Sequence, residues 1–324
     1  MPRTTTYRGR RAHCIENELL RVTVLDEGGH IAEITLKSTG VNPLWTPPWP
    51  TIEPSTYELA KHPEYGADSE SKLLSGIHGH NLCLDLWGAP TEEEARAGMT
   101  VHGEGSIVAY DFEISGDGQK MTCSCSLPAA QLEFRRTLTL DVNRVQIEES
   151  VRNVSILDRP VAWTQHVTLG PPFLEHGKTV FDVPATKSMT YDGEVFDWPM
   201  LHEEDLRVFT TAAVSGKFTT HLLDLRLDNA WFTAYTPSQR TLIRYDWKRA
   251  DFPWIGVWEE NRSRTMPPWN GETITRGMEF GVSPMPESRR KMIDRGSLFG
   301  VPGYRWIPAL STVTVRYSAT LEEK

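Results

Sequence analysis

The chain is poor in the features that mark several large protein classes. No stretch of its 324 residues approaches the roughly 18 consecutive apolar positions of a membrane-spanning helix. Nothing apolar follows the basic start "MPRTTTYRGRRAHC", so no secretory leader is expected either. Lys and Arg total 34 against 43 Asp and Glu, a net charge of −9, with no basic stripe. That balance argues against a nucleic-acid partner, whose phosphates need a basic face. The nearest basic run, "ESRRKMIDRG" at 287–296, reads as one short solvated helix. There is no GxGxxG, no GK[ST] and no alternation of strands with long helices, which removes dinucleotide-binding and P-loop folds. Cysteine is scarce. Cys14, Cys83, Cys123 and Cys125 form no CxxC, and "CSC" sets two thiols on one strand face, a poor geometry for a disulfide. The expectation is a reduced, cytoplasmic protein with buried thiols.

What the chain has in quantity is turn residues and period-two patterning. Its 24 Gly and 22 Pro are spread along the length, as many short strands joined by turns require. "ELLRVTVLDEGGHIAEITL" reads as a hairpin turning at Gly28-Gly29. "LEFRRTLTLDVNRVQIEESVRNVS" repeats the device, with Leu132, Phe134, Leu138 and Leu140 on one face before "DVN" turns. Further strands are expected within 217–227, 231–237, 241–247, 255–260, 274–282 and 311–321. Helix signals are few: Thr91 with Glu94, and Ser55 with Glu58 stopped by Pro63, both stand at capping-box spacing. With no repeat and no interdomain linker, the expectation is one all-β domain over 1–324, a large antiparallel β-sandwich with a few short helices.

Two groups of residues suggest chemistry. In "LLSGIHGHNLCLDLWG", His78 and His80 alternate on a presumptive strand and so share a face, which would suit a metal. A cupin-type site wants a glutamate three or four residues on; here only Asp85 follows, five residues after His80. Metal binding is therefore disfavoured. Eleven tryptophans, among them Trp45, Trp49, Trp198, Trp254, Trp258 and Trp269 at strand–loop junctions, favour a carbohydrate ligand, since flat rings pack on the C–H face of a sugar.

The run "LEFRRTLTLDVNRVQIEESVRNVSILDRPVAWTQHVTLGPPF", with Arg136, Asn153, Pro160 and His166 in place, resembles the middle of the aldose 1-epimerase (galactose mutarotase-like) proteins. "MTVHGEGS" looks like that family's first site histidine at His102, and "ITRGMEFGVSPMPES" like the segment with its catalytic carboxylate at Glu279. The resemblance implies the galactose mutarotase-like supersandwich and a cofactor-free, metal-free enzyme acting on a small sugar or sugar derivative. It implies Glu279 as base, His166 as acid and His102 as a partner on the ring oxygen. A carboxylate suits the base, and an imidazolium suits the acid because it titrates near neutrality. Glu259 and Glu260, placed at a solvated loop start, are rival carboxylates. Where relatives carry Asn-Arg this chain has His80 and Asn81, and Gln165 replaces the asparagine found before the acid in many relatives. His80, Asn81, Asp228 and Trp258 are the expected substrate contacts, with Arg262 and Arg264 as cations for a phosphate. The alternative is a carbohydrate-binding domain of the same fold without the reaction. Convergence of His102, His166 and Glu279 on one pocket separates the two.

Overall fold

The computed structural model describes residues 4–324. Two antiparallel sheets face each other. The larger runs, in spatial order, through strands Thr4–Tyr7, Arg10–Glu16, Leu20–Leu25, Ile31–Leu36, His80–Asp85, Arg159–Leu169, Ile274–Gly281, Trp254–Asn261, Ser215–Leu223, Ala185–Thr190 and Val195–Asp197. The second runs Val180–Asp182, Asn229–Thr236, Thr241–Lys248, Thr312–Glu323, Arg144–Asn153, Leu132–Asp141, Lys120–Leu127 and Asp111–Ile114. This is the all-β sandwich that the alternation predicts, and every strand expected from 217 onwards is present.

The two sheets bury their faces differently. Leu132–Asp141 alternates strictly, with Leu132, Phe134, Leu138 and Leu140 inward and Glu133, Arg135 and Asp141 in solvent. That is the pattern of a sheet covered on one side. Arg136 occupies the remaining inward slot, fully buried. It is tolerated because Nε donates to Glu149 Oε1 (2.8 Å) and Nη1 to the Gly29 carbonyl (2.8 Å). In the large sheet His80–Asp85 and Ile274–Gly281 are buried almost without a break, as is Arg159–Leu169 from Val161 onward. Continuous burial means that the outer face is covered too. Loops 43–79, 86–110 and 262–273 do the covering, and Trp45, Leu73, Leu74, Ile77, Val101, Ile107 and Trp269 form a second apolar cluster there.

Local expectations fared unevenly. Glu92–Arg96 is a helix with the full Thr91/Glu94 capping box, and Arg289–Arg295 is the short helix expected in the basic run. The segment after Ser55 is not an α-helix. It holds only 3-10 turns at Pro54–Thr56 and Pro63–Tyr65, because the Ser55 N–H and hydroxyl both donate to the buried Glu27 carboxylate instead of capping. All four cysteines are free, with Cys83 and Cys123 buried and Cys14 and Cys125 partly so. No described helix is long and apolar enough to cross a membrane.

Candidate active site

Strand register builds the centre of the site. Asn81, His166, Glu279 and Gly256 stand opposite one another on four neighbouring strands. Residues paired directly across an antiparallel sheet project from the same face, so this row points outward into the covered side. The glycine in the row is required by its surroundings. A Cβ on Gly256 would lie 2.8 Å from Phe218 and 2.9 Å from Trp87, and one on Gly277 would lie 2.4 Å from Oε1 of Glu279. The sheet is thus bare where the carboxylate lies down on it.

His102 arrives from a loop clamped on the His80–Asp85 strand. Its carbonyl accepts from Leu84 N–H (3.1 Å), Ser106 Oγ donates to the Leu82 carbonyl, and the Tyr110 hydroxyl donates to the Gly105 carbonyl (2.9 Å). The approach is so close that a Cβ on Gly103 would sit 1.8 Å from the Leu84 carbonyl oxygen. His102 itself is left-handed, at φ 62°, a strained conformation for a residue with a side chain. The clamp brings its ring to 4.7 Å from that of His166.

Asn81 joins the two rings. Its Oδ1 accepts from Nδ1 of His102 (3.1 Å), and its Nδ2 donates to Nδ1 of His166 (3.4 Å). An imidazole nitrogen that accepts carries no proton. His166 therefore holds its proton on Nε2, the atom 3.2 Å from Oε1 of Glu279. The other carboxylate oxygen, Oε2, accepts from Trp87 Nε1–H (2.9 Å). Oε1 receives no hydrogen bond although the group is buried.

Burial dominates the titration of both groups. Desolvation pushes the Glu279 carboxyl up to about 8, against the opposing pull of the Trp87 hydrogen bond and the Arg264 charge. Desolvation likewise pulls His166 down to about 3, with Arg264 adding to the shift. His102 is also lowered, first by burial and then by the neighbouring His166. Near neutrality the pair holds a proton on the carboxyl and a neutral imidazole beside it.

The row opens into a cavity of about 820 Å³ that His102, His166 and Glu279 all line. Trp258 and Phe218, register partners on adjacent strands, form part of its floor. Trp269 stands against Trp258 at 6.0 Å, and the Arg264 guanidinium lies over both rings, 5.5 and 4.8 Å from their centres.

Of the four expected sugar contacts, Trp258 lines the cavity and His80, Asn81 and Asp228 do not. His80 faces the opposite side of its strand. It is buried between the sheets, with Nε2 bonded to Gln165 Oε1 (3.0 Å) and Nδ1 accepting from Tyr245 (3.3 Å). Alternation along the strand sends His80 inward once Asn81 points to the site. Asn81 is wholly buried behind the histidines, and Asp228 is an exposed turn residue before a strand of the other sheet. His78 and His80 share no face. The strand starts at His80, after a left-handed Gly79, and His78 is buried against Tyr7. No group of three or more His, Cys, Asp or Glu that could hold a metal occurs among the described residues. Glu259 and Glu260 are buried strand residues, not a solvated loop start. Glu259 pairs with Arg276 (2.6 Å), and Glu260 accepts from the N–H groups of Ser263 and Arg264. Arg264 lines the cavity and Arg262 does not. Sequence reasoning missed Trp87, whose only signal was a tryptophan before a glycine in "DLWG", along with Phe218 and Lys217.

No protein-family model matches the chain, and no curated protein matches it by sequence. Solved structures do match it in shape. A galactose mutarotase-like protein from Lactobacillus casei superposes with a TM-score of 0.66 at 14% identity, covering 96% of this chain and 100% of its own. A galactose mutarotase-like protein from Clostridium acetobutylicum gives 0.65 at 13%, covering 100% and 99%. A galactose mutarotase related enzyme from Lactobacillus acidophilus gives 0.65 at 13%, covering 96% and 97%. The chain has the galactose mutarotase-like fold.

Proposed function

We propose that the protein is a cofactor-independent sugar isomerase of the aldose 1-epimerase kind, interconverting the anomers of a small aldose. The observation that carries this reading is the placement of Nε2 of His166 beside the undonated Oε1 of Glu279 in a cavity with aromatic walls. A pure binding site has no use for a buried carboxyl with an open oxygen next to an imidazole, because such a group costs stability. The same pair is what ring opening needs.

The pair holds two protons, one on the Glu279 carboxyl and one on Nε2 of His166. With the sugar's hydroxyls solvating the carboxylate, Glu279 gives its proton up to solvent at the mouth, and His166 takes one on Nδ1 as the Asn81 amide turns its oxygen to that atom. A carboxylate base and an imidazolium with Nε2–H result. Glu279 then takes the proton of the anomeric hydroxyl, while His166 gives its Nε2 proton to the ring oxygen. The bond from C1 to the ring oxygen breaks and the C1 carbonyl forms. Rotation about C1–C2 presents the other face, and the reverse transfers close the ring. After opening, the enzyme again carries a protonated Glu279 and a neutral His166, the state that burial favours. Burial therefore supports the later part of the reaction path more than the starting complex, which is the direction catalysis requires. His102, whose Nδ1–H is taken by Asn81, keeps an accepting Nε2, which suits a sugar hydroxyl and not the ring oxygen expected from the resemblance, because that oxygen has no proton to donate.

Saturation exchange by NMR across free and phosphorylated aldoses, with His166→Ala and Glu279→Ala beside the native enzyme, tests the reading. Exchange faster than both variants on at least one sugar is expected. Native rates equal to the variants on every sugar overturn it and leave the carbohydrate-binding alternative.

A further inference from the structure

We infer that the mouth of the cavity holds a second sugar ring on Tyr191, so that the substrate is a reducing disaccharide or the reducing end of a longer chain. The inference rests on the isomerase reading above and extends it to substrate class.

The evidence is a run of rings from solvent to the carboxylate. Tyr191 lines the cavity and is 59% exposed, so one part of its ring faces solvent at the mouth. It meets Phe218 edge-on (6.4 Å, 90°), Phe218 meets Trp87 likewise (5.5 Å, 71°), and Trp87 donates to Glu279. The backbone that carries Tyr191 is held. Its N–H donates to the Phe218 carbonyl (3.2 Å), and the turn carrying it is closed by Thr190 N–H to the Glu194 carbonyl (2.9 Å) and Gly193 N–H to the Thr190 carbonyl (3.1 Å). An exposed aromatic face on a held backbone is what a sugar ring stacks on. Asp192 and Glu194 line the same rim and offer acceptors for its hydroxyls.

Size and charge agree. A cavity of about 820 Å³ lies toward the upper end of the roughly 300–1,000 Å³ that takes a drug-sized ligand, so one hexose at the His166–Glu279 centre leaves room outside it. Glu70, Asp192 and Glu194 outnumber Lys217 and Arg264 among the lining charges that reach solvent. Lys217 is paired with Glu204, and Arg264 lies 3.4 Å from Glu70. The mouth thus suits neutral hydroxyl-rich rings over phosphorylated ones. Anomer exchange needs only a free C1 on the inner ring, so a glycosidic bond at the far side of that ring does not interfere.

The test compares glucose with maltose, cellobiose and lactose by NMR saturation exchange, using native enzyme, Tyr191→Ala and Tyr191→Phe. For at least one disaccharide, kcat/KM should exceed that for glucose by about tenfold, the size of one aromatic contact. Tyr191→Ala should raise KM for that disaccharide about tenfold more than for glucose, and Tyr191→Phe should restore it. Equal effects on both sugars, or glucose preferred over every disaccharide, overturn the second site while leaving the isomerase intact. If no sugar is exchanged the isomerase reading fails by itself. Calorimetric binding of the same sugars then decides the second site: tighter disaccharide binding, lost in Tyr191→Ala, supports it, and no such difference overturns it.

Discussion

Nε2 of His166 stands 3.2 Å from Oε1 of Glu279, on residues paired directly across two neighbouring strands, and that oxygen receives no hydrogen bond. Everything proposed for the site depends on this pair.

Glu279→Gln keeps the shape of the side chain and an oxygen for Trp87, but can neither take nor give a proton. Its kcat for anomer exchange should fall by about 10²–10⁴, as should that of His166→Ala, the usual scale for losing one proton-transfer group. KM should change far less. A fall of less than tenfold in both variants, read by saturation exchange, would remove the pair from the mechanism.

The raised carboxyl also links stability to pH. Below pH 4.5 Glu279 is protonated in both native and unfolded chains. Between 4.5 and about 8 the unfolded chain ionises first, so the native state holds more protons and stability falls as pH rises. Glu279→Gln has no such group. In urea unfolding the variant should match or trail the native protein at pH 5 and gain on it by about 2 kcal/mol or more at pH 8.5. Parallel stability curves across that window would show that the carboxyl is not held protonated.

Asn81 reads as the residue that sets the proton positions of both histidines. Asn81→Asp presents acceptors to both rings, which favours a proton on Nδ1 of His166 and raises its pKa. The ¹⁵N resonance of that atom should move to the protonated range, the pH profile of kcat should shift upward, and kcat should fall about 10–100-fold. An unchanged ring spectrum in Asn81→Asp would reduce Asn81 to a packing role.

Between the sheets, Glu149 accepts from Arg136 Nε (2.8 Å), Trp163 Nε1 (3.0 Å), Gln165 Nε2 (2.6 Å) and the Tyr317 hydroxyl (2.8 Å). Glu149→Ala leaves these donors, and the Arg136 charge, unpaired in the core. It should cost about 3–5 kcal/mol in denaturant unfolding. A cost under about 1 kcal/mol would show that the network is not a stabilising unit.

Strand alternation, turn residues and the scarcity of helix signals were enough to specify the sandwich. Period two is a local property, fixed by which face of each strand meets the core. The residue types at 102, 166 and 279 were legible as well, because short patterns around them carry the resemblance. Register was not. Which residue stands opposite His166 depends on how strands distant in the chain align, and that alignment put Asn81 behind the histidines and sent His80 into the core. Nor could pattern foretell that Ser55 would bond Glu27 instead of capping a helix, or that Trp87 would reach Glu279 across 192 residues. Those contacts exist only after the loops have folded over the sheet. The burial that raises Glu279 and lowers His166 exists only then as well, because desolvation belongs to the packed molecule and not to the sequence.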